Sequence, residues 1–155
     1  MAQQRSVKLS RIVDEFSLEI LHKGSDYDSA LLTIVDVNRP GLQYAGFFEY
    51  FDPRRLQVEG KAEHTYLSSL LPEERRKSYS NLFSYEIPAL VLSRDMEPSA
   101  ECLETAREYE RTLLRTPETT VVFTSQMIDA LNRYLAPCIT RHGVLMEIYG
   151  EGVLI

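Results

Sequence analysis

The sequence predicts an α/β fold: a mixed or parallel sheet flanked by helices, followed by a C-terminal helix and a β-hairpin. Three observations carry this. Apolar runs of strand length alternate with stretches of helical period along most of the chain, as expected when helices cover a sheet. One run, "ALLTIVDV" from Ala30 to Val37, is nearly unbroken, as in a strand covered on both faces. The C-terminal end changes character. In "CITRHGVLMEIYGEGVLI", Val144, Met146 and Ile148 alternate with Leu145, Glu147 and Tyr149 before a turn at "GEG", which is a hairpin pattern.

The elements follow in order. "SVKL" reads as a short strand, and Ser10 is a candidate cap for a helix with Ile12, Val13 and Phe16 on one face. "LEIL" (Leu18–Leu21) is the next strand, and "GSDYDS" is a loop by its turn residues. After the Ala30–Val37 run, Pro40 suits a first helical position with Asn38 as its cap, and Leu42, Ala45, Phe48 and Phe51 fall at helical spacing. Gly46 lies inside that expected helix, where a glycine costs about 1 kcal/mol relative to alanine, so a close approach by a neighbour is expected there. "LQVEG" is a strand with Gly60 as its exit turn. A helix from about Ala62 would turn Tyr66, Leu67, Leu70 and Leu71 inward. Pro72 starts another, with Glu73 and Glu74 in the first turn, where carboxylates favour the dipole, and Tyr79, Leu82 and Phe83 inward. "PALVLSR" is a strand. Pro98 opens a helix aligning Cys102, Leu103, Ala106 and Tyr109. "RTLLRT" is a short strand, and a helix from about Ser125 places Met127, Ile128, Leu131, Tyr134 and Leu135 on one stripe. The expected organisation is an N-terminal α/β domain over residues 1–126 and the start of a second unit at 127–155, left unfinished where the chain stops in a strand.

Composition narrows the function classes. The 155 residues are 44% hydrophobic and 26% charged, ordinary for a globular chain long enough to bury a core. The net charge of −6 speaks against sequence-independent nucleic-acid binding, which needs clustered Lys and Arg; the "RRK" at Arg75–Lys77 is balanced by Glu73 and Glu74. No stretch reaches the apolar length of a membrane span, and the N-terminus has no signal-peptide core. Cys102 and Cys138 show neither metal-type spacing nor a disulfide framework, and read as reduced core thiols of a cytoplasmic protein.

Few motifs carry chemistry. Asn38, Arg39, Pro40 and Gly41 lead into a helix start, where free N–H groups and the Arg39 fork could hold an anion. The competing reading is structural: Asn38 caps, Pro40 stiffens, Gly41 eases crowding and Arg39 pairs with an acidic neighbour. Asn38, Arg39 and Gly41 are therefore ligand-binding candidates. "GKAEH" is not a phosphate loop, because it lacks the glycine five residues before a Gly-Lys-Ser/Thr. His22, His64 and His142 show no metal spacing, and Glu63 and His64, adjacent on a helix, read as surface residues. His142, between Arg141 and Gly143 at a strand start, is a candidate acid–base group. Glu147 and Glu151 are candidate acid–base groups or Mg2+ ligands, or solvated hairpin residues.

The segments "NRPGLQ", "FDPRRLQVEGKAE" and "RHGVLMEIYGEGVLI", in this order and spacing, closely resemble the HPr kinase/phosphorylase family, and the likeness covers nearly the whole chain. That resemblance implies a bifunctional bacterial enzyme. Such enzymes phosphorylate a serine of HPr, the phosphocarrier of the sugar phosphotransferase system, with ATP or pyrophosphate. They remove the phosphate by phosphorolysis and so control carbon catabolite repression. It further implies an N-terminal α/β domain similar to that of the Mur ligases, a C-terminal kinase domain with a P-loop after "GVLI", Mg2+ and a homohexamer. Of the family's active-site residues, only the histidine of "RHG" maps here, as His142. The P-loop has no counterpart in these residues, so no cofactor is expected in this chain and the chain alone is expected to be inactive. The alternative is a non-catalytic binding or interaction domain for an anionic or nucleotide-like ligand.

Overall fold

The structure, a computed structural model, describes residues 5–137. A short strand β1 (Val7–Lys8) runs into helix α1 (Leu9–Phe16), followed by β2 (Glu19–His22), β3 (Leu31–Leu32), β4 (Val37–Asn38) and helix α2 (Gly41–Tyr44). Then come β5 (Leu56–Glu59), α3 (Lys61–Ser68), α4 (Pro72–Phe83), β6 (Leu90–Leu92), α5 (Ala100–Tyr109), β7 (Leu113–Arg115) and α6 (Thr120–Leu135). The main sheet has the order β2-β7-β6-β5-β4. Strands β4 to β7 are parallel, and β2 closes one side antiparallel to β7. The expected mixed sheet with flanking helices is therefore present. A separate antiparallel pair joins β1 to β3.

The strands sort their side chains by the two-residue period. Leu56, Val58, Ala89, Val91 and Leu114 turn to one face and form a core with Leu9, Ile12 and Val13 of α1 and Phe123, Met127 and Leu131 of α6. Leu90, Leu92 and Leu113 turn to the other and pack with Tyr44, Leu67, Tyr79, Leu82, Phe83, Cys102 and Ala106. The molecule is thus three layers: α1 and α6, the sheet, then α2 to α5. The cysteine at 102 is free and buried in the second core, whereas Cys138 and the expected hairpin lie outside the described residues.

Several expectations change in detail. Ser10 is inside α1 and caps nothing; the helix starts at Leu9, two residues earlier than a Ser10 cap implies, and there the Leu9 N–H donates to the Ala30 carbonyl at 3.0 Å and the Leu9 side chain is fully buried. The Ala30–Val37 run is not one strand. Leu31 and Leu32 pair with β1, Val37 and Asn38 pair with β5, and the chain between them crosses from one sheet to the other. Its apolar residues serve two sheets, and only Leu32 of the run is buried. In α3, Leu67 is buried but Tyr66 is 40% exposed and Leu71 63%. The helix ends at Ser68, and Leu71 becomes the N-cap of α4, whose first helical residue is Pro72 as expected.

Arg75 of α4 holds that junction. Its Nε donates to the Leu67 carbonyl at 2.8 Å, its Nη2 to that of Leu70 at 2.9 Å, and its Nη1 to Glu101 of α5 at 2.7 Å. One guanidinium thus adds donors to carbonyls at the end of α3 and pins α3, α4 and α5 together. The C-terminal helix begins at Thr120, upstream of the expected Ser125, with Thr119 as its cap. The boundary expected between residues 126 and 127 falls inside α6, on a stretch where Phe123, Met127 and Leu131 all enter the first core.

The helix expected to run from Pro40 through Phe51 is a single turn of four residues, and Gly46 is the reason it stops. Gly46 adopts φ +98, and a Cβ built there would meet nothing within 4 Å. Its role is conformational and no close approach occurs. The aromatic residues beyond it leave the helical spacing and pack on one another instead. Phe48 stacks on Tyr85 with ring centres 4.8 Å apart, and Phe51 meets both edge-on. Gly46→Ala is expected to lower unfolding stability by about 1–3 kcal/mol in urea, with the m-value unchanged. Wild-type stability in that variant would contradict this account of the turn.

Candidate functional site

In open α/β sheets, ligands collect outside the carboxyl ends of the parallel strands. Here that edge is polar. Strand β5 is buried along its whole length, yet it reads Leu-Gln-Val-Glu, with hydrophobic residues on one face and Gln57 and Glu59 on the other. Gln57 accepts from the Asn38 side-chain amide at 2.7 Å, and Asn38 also donates to Gln43 of α2 at 3.0 Å.

Glu59 ends the strand with no solvent exposure. Three helices supply its donors. The Tyr44 hydroxyl of α2 donates to Oε1 at 2.8 Å, the Tyr79 hydroxyl of α4 at 3.0 Å, and His64 Nδ1 of α3 lies 2.8 Å from Oε2. The tyrosine rings meet edge-to-face at 5.2 Å. Both phenols are held well above their usual range, by burial first and by the Glu59 charge as a further cause, so they stay protonated donors. Burial likewise pushes the Cys102 thiol well up, leaving an inert sulfur. His64 is raised above its usual value chiefly by its hydrogen bond to Glu59, against the opposing effect of burial.

Immediately after Glu59 comes a second polar junction. The Gly60 N–H donates to Glu63 Oε1 at 2.5 Å, which starts α3. Arg39 grips both oxygens of the same carboxylate, with Nη2 at 2.9 Å from each and Nε at 3.2 Å. A Cβ on Gly60 would collide with the Arg39 guanidinium and would reach Thr120 Oγ1 at 2.8 Å, so any larger residue would push Arg39 out of its grip on Glu63. Thr120 Oγ1 lies 2.7 Å from Ser93 Oγ, which donates to the Glu59 carbonyl at 3.0 Å. The ends of β4, β5 and β6 and the starts of α3 and α6 therefore converge on one glycine.

Two cavities flank this junction. One, of about 400 Å3, runs along α6 and is lined by Arg39, Thr120, Thr124, Ile128 and Asp129. The other, of about 260 Å3, lies beside His64 on the α3–α5 side. Among the described residues, no three His, Cys, Asp or Glu side chains gather to hold a metal ion.

The ligand candidates chosen from sequence find definite places. Asn38 does not cap α2; its amide joins β4 to β5 and α2. Arg39 is engaged by Glu63, and Gly41 sits against the same side chain, where a Cβ would lie 3.6 Å from Glu63 Cγ. His142, Glu147 and Glu151 lie outside the described residues. Glu63 and His64 are not surface residues: Glu63 keeps 11% of its side-chain exposure and His64 26%. Sequence reasoning missed Glu59 and Tyr44, and placed Tyr79 in the core without its polar role.

The His64–Glu59 pair fixes a pH dependence. A histidine raised in the folded state above its value of 6.5 contributes stability that is complete below that value and lost as pH rises through the raised one. Unfolding stability of the chain is expected to fall as pH rises above about 6.5, and His64→Gln is expected to flatten that fall. Parallel pH profiles for the two proteins would contradict the pairing.

Comparison with known proteins agrees with the sequence resemblance. The family model described as the HPr serine kinase N terminus matches residues 7–131. The HPr kinase/phosphorylase of Peptoclostridium acidaminophilum is 42% identical over 155 residues, all of this chain but 50% of that protein. The HPr kinase/phosphorylase of Clostridium acetobutylicum is 43% identical over 149 residues, 96% of this chain and 48% of that protein. The chain thus spans about half the length of these relatives. Among solved structures, the CBS and DRTGG domains of the regulatory region of Clostridium perfringens pyrophosphatase, complexed with the activator diadenosine tetraphosphate, match with a TM-score of 0.56. They do so at 17% identity, over 84% of this chain and 50% of that one, which is a likeness of fold. No helix among the described residues is long and apolar enough to cross a membrane. With a family model covering most of its residues and this identity along its full length, the chain belongs to the HPr serine kinase N-terminal family.

Proposed function

We propose that the chain is the N-terminal, non-catalytic portion of an HPr kinase/phosphorylase. The observation that carries this reading is the identity of 42% across the whole chain to a relative that is twice as long. The complete protein, on this reading, transfers phosphate from ATP or pyrophosphate to a serine of HPr with Mg2+. It removes that phosphate by phosphorolysis and so sets carbon catabolite repression in the cytoplasm. The α/β unit through α6 forms the assembly and regulatory unit of a homohexamer, and the residues after α6 lead into the kinase domain. His142 serves there as an acid–base or phosphate-contacting group.

Phosphoryl transfer is mostly positioning and charge stabilisation: the phosphates must be cradled, the metal held and the nucleophile oriented. The 155 residues contain no Gly-x-x-x-x-Gly-Lys-Ser/Thr segment to supply the cradle. The donors gathered on Glu59 and Glu63 at the carboxyl edge of the sheet are engaged by those carboxylates, which suits a rigid scaffold. Incubating the purified chain with HPr and labelled ATP or pyrophosphate is expected to give no phosphate incorporation above background, while a full-length relative labels HPr under the same conditions. Labelling of HPr by the chain alone would overturn this reading.

A further inference from the structure

His64 uses one ring nitrogen and keeps the other. Its Nδ1 is fixed by Glu59, and Nε2 takes part in no hydrogen bond among the described residues. The ring borders the cavity of about 260 Å3, together with Arg75, Ser99, Ser68, Tyr79 and Glu97. That volume is below the range of roughly 300–1,000 Å3 typical of drug-sized pockets, and suits a small ion or a small ester.

The lining is rich in donors. Ser99 Oγ accepts the Cys102 N–H at 3.1 Å, so its own hydroxyl hydrogen is uncommitted. Arg75 is held rigidly by the Leu67 and Leu70 carbonyls and by Glu101, and its guanidinium retains an N–H on Nη1 beyond the one given to Glu101. Only Glu97 contributes a carboxylate to the wall; its side chain is 88% exposed and reaches Arg115 at 3.4 Å. The remaining carboxylates nearby are matched: Glu59 by Tyr44, Tyr79 and His64, and Glu101 by Arg75.

We propose that this cavity binds a tetrahedral oxyanion of the phosphate class, free or as a small phosphomonoester, through His64 Nε2–H, Arg75 Nη1–H and the Ser99 hydroxyl. The inference stands apart from the enzyme reading above, because it concerns only groups within this chain. It gives the buried carboxylate a second consequence. Glu59 fixes Nδ1 and its hydrogen bond raises the imidazole above its usual value, which favours the imidazolium and leaves Nε2 uncommitted in a ring that lines this small polar space. The charged and titratable groups around the ring are Glu59 on β5, Tyr44 on α2, Arg75 and Tyr79 on α4, Glu97 ahead of α5, Glu101 on α5, and Lys61 and Glu63 on its own helix.

The test is a titration of the full chain followed by the histidine ring resonances, at constant ionic strength set with chloride. Inorganic phosphate, glycerol phosphate and sulfate are added in separate arms. A saturable shift of the His64 Cε1–H signal is expected, with His22 and His142 as internal references. Sulfate keeps its charge across the range, so its affinity should fall at least tenfold between pH 6.5 and pH 9 as His64 loses its proton. His64→Gln retains a donor for Glu59 and is expected to lose at least tenfold in affinity by calorimetry. Response to both phosphates supports a site open to free and esterified anions, and response to inorganic phosphate alone supports one closed around the free ion. No saturable shift at His64 with any of the three anions, or a shift confined to the other histidines, would overturn the proposal even without the variant.

Discussion

A carboxylate taken fully out of water costs several kcal/mol unless donors meet both oxygens. Glu59 satisfies that condition with one group from each of three helices: Tyr44 from α2, His64 from α3 and Tyr79 from α4. Each donor lies in a separate segment, so the charge can be accommodated only when all three are docked on the sheet. Apolar contacts alone would let α2, with its single turn, and α3, with one buried leucine, settle in several positions. The Glu59 cluster selects one position for both.

The neighbouring junction extends the same logic to the other face of the sheet. Gly60 sits where Arg39, Glu63, Thr120 and Ser93 meet, and its lack of a side chain lets the Arg39 guanidinium lie against the backbone. Glu63 does two tasks at once, starting α3 and holding Arg39. The outcome is a rigid carboxyl edge in which polar side chains are mutually satisfied, with His64 and Arg39 remaining at the margins of two small cavities.

The alternation of strands and helices was legible because apolar periodicity is a local signal, as for Pro72 opening α4 or the Leu-Val-Leu of β6. Boundaries governed by distant partners were not. Leu42, Ala45 and Phe48 have perfect helical spacing, yet Leu42 is 64% exposed, because a left-handed glycine outranks the pattern and Tyr85 offers Phe48 a better surface. The Glu59 cluster joins residues 15 and 20 positions apart, and the Arg39 pair spans 24, so neither is visible in a short window. One clue was present in "LQVEG". A strand with Leu56 and Val58 on one face and Gln57 and Glu59 on the other, set between two helical segments, must find donors for its polar face. The pairing of Arg39 with an acidic neighbour was foreseeable; which acid it chose was not.

The Glu59 carboxylate docks α2, α3 and the Tyr79 turn of α4 onto the sheet. Native-state hydrogen exchange on Glu59→Gln tests this docking most directly, because an amide replaces one acceptor oxygen by a donor without changing shape. The account predicts selective loss of protection in α2, α3 and the Tyr79 turn of α4, with the amides of β6, β7, α1 and α6 still protected to the global limit. Equal loss throughout the chain, or protection unchanged in α2 and α3, would contradict it.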